Sequence, residues 1–256
     1  MTGRRIISIF LPRLAIESWQ SRRERQGAAW PDDLPLALAA PGPHGPVIHA
    51  ANRAALLAGA RIGSRAVDSR SICPALRIED ATPGQDAARL ARLAFWVRRW
   101  GPASTPDGDQ GIILDTTGAA HLFGGEPALL ADIQAAFARA GLTAGLGLAP
   151  TRGAAWALAR FGPERAICTD PLPALAPLPL TGLRLSGETL LLLRRLGLKT
   201  IGDLAALPRL PLMRRFARAA LSDNPLIRLA QALGRAAEPL DAPESAPEFA
   251  TQTRLA

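Results

Sequence analysis

The sequence predicts a mixed α/β layer structure through residue 165 and an all-helical region after it. Three observations carry this prediction. Short β-branched runs alternate with amphipathic stretches in the first part. A proline-rich seam, Pro171 to Pro179, interrupts the pattern and reads as a linker. Beyond it only short helical segments follow.

Taken in order, Arg5 to Phe10 is a short β-branched run that reads as a buried strand, and Leu14 to Arg25 as a helix charged toward its end. Gln26 to Val47 is rich in Pro and Gly around a strand at Leu34 to Ala39. Val47 to Ala50 is a further strand, followed by a helix over Ala51 to Ala58 that Gly59 stops. Arg65 to Ser71 forms a second short helix before Cys73-Pro74. Pro83 to Trp100 is strongly helical, with Leu90, Leu93, Ala94 and Val97 on one face. Ile112 to Asp115 is a strand that runs into a turn at Thr117-Gly118. A helix over Pro127 to Ala140, a small-residue strand over Thr143 to Ala149 and a helix over Thr151 to Phe161 complete this part. After the seam come helices at Gly187 to Leu196, Thr200 to Leu207, Leu210 to Ala220 and Pro225 to Leu233. The tail from Ala236 to Ala256 is acidic and unpatterned.

Composition narrows the class. The chain has 256 residues, 48% of them hydrophobic and 20% charged, enough for one large domain or two to three small ones and too apolar for a disordered chain. Its longest apolar runs stop at arginines, as Leu190 to Leu193 does at Arg194, well short of the roughly 18 residues of a membrane span. Pro12 and Arg13 interrupt the N-terminal apolar run, which argues against a signal peptide. Two cysteines, Cys73 and Cys168, make neither a disulfide framework nor a four-ligand zinc site. The expectation is a cytoplasmic protein without metal or cofactor.

Lys plus Arg number 30 against 22 acidic residues, a net charge of +8, and Lys199 is the one lysine. Arginine forks onto phosphates bidentately, so this surface suits a polyanion, DNA or RNA first. A GC-rich genome that encodes arginine in place of lysine explains the same excess. Charge alone does not choose between them.

The sharpest local signal is the pair of helices joined at Leu196-Gly197-Leu198-Lys199-Thr200, with Thr200 as an N-cap. Backbone N–H groups from Gly197 to Thr200, with Arg194, Arg195 and Lys199 beside them, offer a sequence-independent grip on a DNA phosphate. The alternative is a plain helical hairpin with solvated basic residues. For catalysis the chain offers little. His44, His49 and His121 are scattered, Asp107 and Asp109 sit in a loop that reads as a solvated turn, and Asp115 reads as a turn cap.

Several of these segments resemble the Y-family translesion DNA polymerases, and within them the ImuB branch of bacterial inducible-mutagenesis proteins. Ile9 to Glu17 is similar to the first palm motif. Ala51 to Gly63 with Cys73-Pro74-Ala75-Leu76 is similar to the fingers. Leu114 to Glu126 is the most specific match, Gly145 to Ala157 resembles the next palm strand and helix, and the hairpin at Leu196 to Leu204 resembles the thumb. The resemblance implies a right-hand polymerase-like palm at 1–25 and 76–170, a small fingers insertion at 26–75, and a helix-hairpin-helix-type thumb at 171–240. It places a linker at 241–256 toward a little-finger domain beyond Ala256.

Departures from the family pattern bear on function. Active members hold two metal ions with first-motif aspartates and an Asp-Glu pair. The corresponding positions here are Ser8, Phe10, Gln110 and Gly111, which supply no anionic oxygen. The family's nucleotide-holding tyrosine and arginine fall near Arg53 and Leu56, in a chain without tyrosine, and its later palm lysines correspond to Arg152 and Trp156. The resemblance therefore implies a catalytically inactive, DNA-binding adaptor in SOS-induced translesion synthesis. Its implied partners are the sliding clamp, an error-prone C-family polymerase and a RecA-like accessory protein. The alternative is an active error-prone polymerase using Mg²⁺ on unorthodox ligands, and a third reading is a scaffold whose arginines bind nothing.

Overall fold

In the computed structural model, which describes residues 3–238, two sheets and their covering helices build the first part. The large sheet takes β1 (Ile6–Phe10), β5 (Ala103–Pro106), β6 (Gly111–Asp115), β7 (Gly145–Ala149) and β8 (Ala166–Ile167), in the order β5-β6-β1-β7-β8. β1 is central and antiparallel to both neighbours. Covered on both faces, it is a near-continuous apolar run, as strands in that position are.

Strand alternation sends Ile7 and Ile9 to one face. There they pack with Leu90, Ala94 and Val97 at the end of α4 (Pro83–Trp96) and with Leu129, Ile133 and Phe137 of α5 (Glu126–Arg139). Ile6 and Ser8 lie on the other face, under α6 (Arg152–Phe161). Gly145 and Gly147 make that approach possible. A Cβ at Gly147 would sit 2.5 Å from the Ala155 carbonyl oxygen, and one at Gly145 2.4 Å from that of Ala159.

A smaller sheet, in the order β3-β2-β4, is built from β2 (Leu36–Ala40), β3 (Val47–Ala51) and β4 (Arg77–Asp80), with α2 (Arg53–Leu57) and α3 (Ala66–Ile72) beside it. Asn52 starts α2. Its side chain accepts from the N–H of Ala55 and of Leu36 and donates to the Leu34 carbonyl, so one buried residue joins helix to sheet. Helix α1 (Leu14–Arg25) bridges the two sheets, with Leu14 in the large core and Ile16 and Trp19 against Leu36, Leu38 and Ala50.

Three strands, β4, β5 and β8, lie where the residue pattern shows none. Arg77-Ile78-Glu79-Asp80 is mostly charged yet pairs in parallel with β2 and so extends the small sheet past residue 75. β5 is an edge strand that ends on Pro106, which an edge tolerates. β8 is a two-residue edge. The helix read over Pro83 to Trp100 tightens to a 3₁₀ turn at Val97–Trp100.

The seam from Pro171 to Pro179 is not a free linker. Pro171 opens α7 (Pro171–Leu175), a first-turn position that tolerates proline, and the Asp170 side chain caps the Leu172 N–H. Leu175 and Leu178 are buried in one core with Ile6, Ile113, Ala154, Ala155 and Leu158 on one side and Leu193, Leu198 and Ile201 on the other. The helices that follow, α8 (Gly187–Arg195), α9 (Ile201–Ala206), α10 (Arg209–Arg215) and α11 (Pro225–Ala232), thus share a core with the sheet face under α6. The expected linker at 241–256 lies outside the described residues.

Candidate functional site

Antiparallel register brings Phe10, Gln110 and Gly111 together at one end of the central strands. Phe10 lies opposite Gly111, and the Leu11 N–H donates to the Gln110 carbonyl at 2.8 Å. Ser8 lies one pleat further in, between Ile113 and Gly147, fully buried under α6, and its Oγ has no hydrogen-bond partner. It belongs to the sheet interior.

The space beside Phe10 and Gly111 is filled by arginine. On α6, Arg152, Trp156 and Arg160 recur every four residues and so share one helix face. The Arg160 guanidinium stacks 4.3 Å from the Phe10 ring centroid and 3.9 Å from that of Trp156. Burial pushes its pKa down to about 10, Arg184 adds repulsion, and Asp107 and Asp109 oppose the shift, so it stays a cation at neutral pH. Arg152 donates to Asp107 Oδ1 at 2.6 Å, with both side chains largely buried. Arg184, in the left-handed region at φ 58°, lies 5.8 Å from the Trp156 ring and pairs with Glu238 at 2.5 Å.

Asp107 is accordingly no solvated turn residue. It forms the anionic centre of a guanidinium cluster. Gly111 belongs to the same packing, because a Cβ there would lie 2.6 Å from the Asp107 carbonyl oxygen and 3.2 Å from Arg160 Nη2. A carboxylate-bearing side chain has no room at that position. These residues do not fit a pair of divalent cations: Phe10, Gln110 and Gly111 offer no anionic oxygen, and the Asp107 carboxylate beside them is already paired with Arg152. Among the described residues no group of three or more His, Cys, Asp or Glu side chains could hold a metal ion. Residue-type reasoning missed Arg160, although its spacing of four from Trp156 was readable.

At the far end of the same strands the most specific sequence match is structural. Asp115 accepts from the Thr117 N–H at 3.0 Å and hydroxyl at 2.6 Å, and from Arg4 at 3.3 Å. Arg5 forks onto both Glu126 oxygens and reaches the Cys168 carbonyl, tying β1 to α5 and to the end of β8.

The helical hairpin corrects one expectation. Arg194, Arg195, Gly197 and Lys199 are exposed, and Gly197 turns the chain at φ 83°. Its backbone N–H groups, however, are already used. Gly197 donates to the Arg194 carbonyl and Leu198 to that of Leu193. Lys199 and Thr200 both donate to Asp203 Oδ2, at 2.9 and 2.8 Å, and Thr200 Oγ1 accepts the Asp203 N–H in a capping box. These bonds hold the Asp203 carboxyl below its ordinary range. With no donor from Gly197 to Thr200 left for a phosphate and a carboxylate at the turn, only the Arg194, Arg195 and Lys199 side chains can meet an anion there.

No protein-family model matches the chain. Protein ImuB from Caulobacter vibrioides strain NA1000/CB15N is 45% identical over 180 residues, 70% of this chain and 38% of that protein. The ImuB of strain ATCC 19089/CIP 103742/CB 15 matches to the same extent. The match thus reaches over little more than a third of those relatives' length. Among solved structures, DinB from Sulfolobus solfataricus superposes with a TM-score of 0.73 at 15% identity, over 93% of this chain and 69% of that one. An insertion ternary complex of Dbh DNA polymerase gives 0.75 at the same identity and coverage. A Y-family DNA polymerase chimera of Dbh and Dpo4 gives 0.74. The chain is thus similar in sequence to ImuB over 70% of its length and carries the fold of these Y-family DNA polymerases.

Proposed function

We propose that this chain is a catalytically inactive member of its superfamily, which holds DNA without copying it and acts as an adaptor in damage-induced mutagenesis. One observation carries the reading. Where the resemblance puts metal-binding carboxylates, the Arg160 guanidinium sits between Phe10 and Trp156, and Gly111 is packed against Asp107. A two-metal phosphoryl transfer needs anionic oxygens that gather divalent cations. A buried guanidinium at that point repels them.

DNA contact in this reading is electrostatic and blind to sequence. Arg194, Arg195 and Lys199 supply it from an exposed turn, through their side chains alone. Synthesis then falls to a partner. The family pattern supplies the candidates: an error-prone C-family polymerase, the sliding clamp and a RecA-like accessory protein, all acting on DNA in the cytoplasm.

Primer extension by the purified full chain, with Mg²⁺ and separately with Mn²⁺, tests the proposal. No nucleotide addition above a protein-free control is expected. Template-dependent addition that disappears on changing Asp107 would establish the active-polymerase alternative.

A further inference from the structure

We propose a second anion site on the opposite side of the large sheet from α6: a trough between α1 and α4 that takes the phosphates of single-stranded nucleic acid. The trough encloses about 950 Å³, within the range of ligand pockets. Arg22 and Arg25 of α1 line one wall and Arg89 and Arg92 of α4 the other, each pair one helical turn apart. Ala88, Leu93, Trp96 and Ala140 make an apolar floor. Arg99 stacks 4.4 Å from the Trp96 ring centroid and extends the row of guanidinium groups.

Among the described residues these four arginines outnumber the carboxylates near them. Asp86 lies 3.9 Å from Arg22, which also donates to Thr82 Oγ1 at 3.1 Å. Among the described residues Arg25 bonds only the Ser21 carbonyl of its own helix. Arg89 is half-buried, yet among the described residues it makes no hydrogen bond or ion pair. Burial, with Arg22 and Arg25 nearby, pushes its pKa down against the pull of Glu17 and Asp86. A half-buried guanidinium with unused donors and like charges around it gains from an external anion.

Geometry selects the ligand. Guanidinium groups flanking an apolar floor suit a single strand, whose bases are free to stack, better than a duplex, whose bases are paired inside. Planar forks on both walls match phosphate oxygens, and the apolar floor accepts a base. The site is separate from the hairpin at Arg194 to Thr200, whose helices pack in the other core. It does not depend on the chain being inactive.

Fluorescence anisotropy on the full chain, with a labelled thymidine oligonucleotide, a labelled duplex and a labelled oligoglutamate peptide, tests the assignment. Arg25→Gln with Arg92→Gln changes two exposed residues and leaves the core untouched; Arg89→Gln is the second variant. Losing two phosphate contacts should weaken single-strand binding about tenfold and flatten the log–log salt slope by about 1.4, with duplex binding unchanged. The loss should persist when Arg194, Arg195 and Lys199 are already alanine, which separates this site from the hairpin. Unchanged single-strand affinity in both variants overturns the proposal. So does an equal loss on duplex, or preferential binding of oligoglutamate that vanishes in the variants, which would make the trough an acidic-peptide site.

Discussion

The cluster around Arg160 and the turn at Gly197 carry the same residue type to opposite ends. Arg152, Arg160 and Arg184 are drawn inward, stacked on rings or paired with Asp107 and Glu238. Arg194, Arg195 and Lys199 stand in solvent. Removing an inward arginine should therefore damage the fold, whereas removing an outward one should change only what the protein binds. Net charge counts the two sets alike, and their environments separate them.

The largest effect expected is on the ion pair. Arg152→Met leaves the buried Asp107 carboxylate without its 2.6 Å partner, and breaking a pair of that kind costs about 3–5 kcal/mol. Urea denaturation should show a midpoint shift of that size, and a loss below about 1 kcal/mol would place Asp107 in solvent and erase the contrast. Next, Gly111→Ala should cost about 1–3 kcal/mol, because the new Cβ meets the Asp107 backbone and Arg160. A neutral result in thermal denaturation would mean that the strand end has room for a side chain after all, and would reopen the question of a carboxylate there.

The hairpin should behave in the reverse sense. Alanine at Arg194, Arg195 and Lys199 should leave stability within about 0.5 kcal/mol while lowering affinity for unrelated DNA duplexes equally. The log–log salt slope should flatten by up to about 2.7, at about 0.9 per phosphate. Unchanged binding would reduce the hairpin to a helical connection. The smallest effect concerns acid stability. Hydrogen bonds from Lys199 and Thr200 lower the folded pKa of Asp203, so the carboxylate contributes stability at neutral pH that is lost as pH falls through the acid carboxylate range. Asp203→Asn should thus lower stability slightly at pH 7 and converge with the wild type in acid. A difference that persists unchanged at low pH would show that the charge on Asp203 plays no part.

Much of the fold was legible because its elements announce themselves locally. Ile6 to Phe10 is apolar and β-branched, Leu14 to Arg25 runs as one helix to the residue, and Thr200 reads as the N-cap it proves to be. The strands missed were those whose residues carry no such mark. Arg77 to Asp80 is a strand because β2 offers it a free edge. The prolines of the seam suggested a linker, yet Leu175 and Leu178 are held in a core whose other members lie before and after them in the chain.

The candidate site divides in the same way. From the sequence by itself come the absence of carboxylates at Ser8, Phe10, Gln110 and Gly111, the basic residues at the hairpin and the resemblance that gives both meaning. Those are matters of residue identity and order. Only the tertiary structure decided what fills the vacated strand end, that Ser8 is sealed under α6, and that the hairpin's N–H groups are already bonded. Phe10 and Arg160 are 150 positions apart and Asp107 and Arg152 are 45 apart, and each pair meets because two glycines let α6 settle on the sheet. Local pattern can report a residue's charge; its neighbours, and hence whether that charge is spent inside the protein or held out to a ligand, are set by packing between segments distant in the chain.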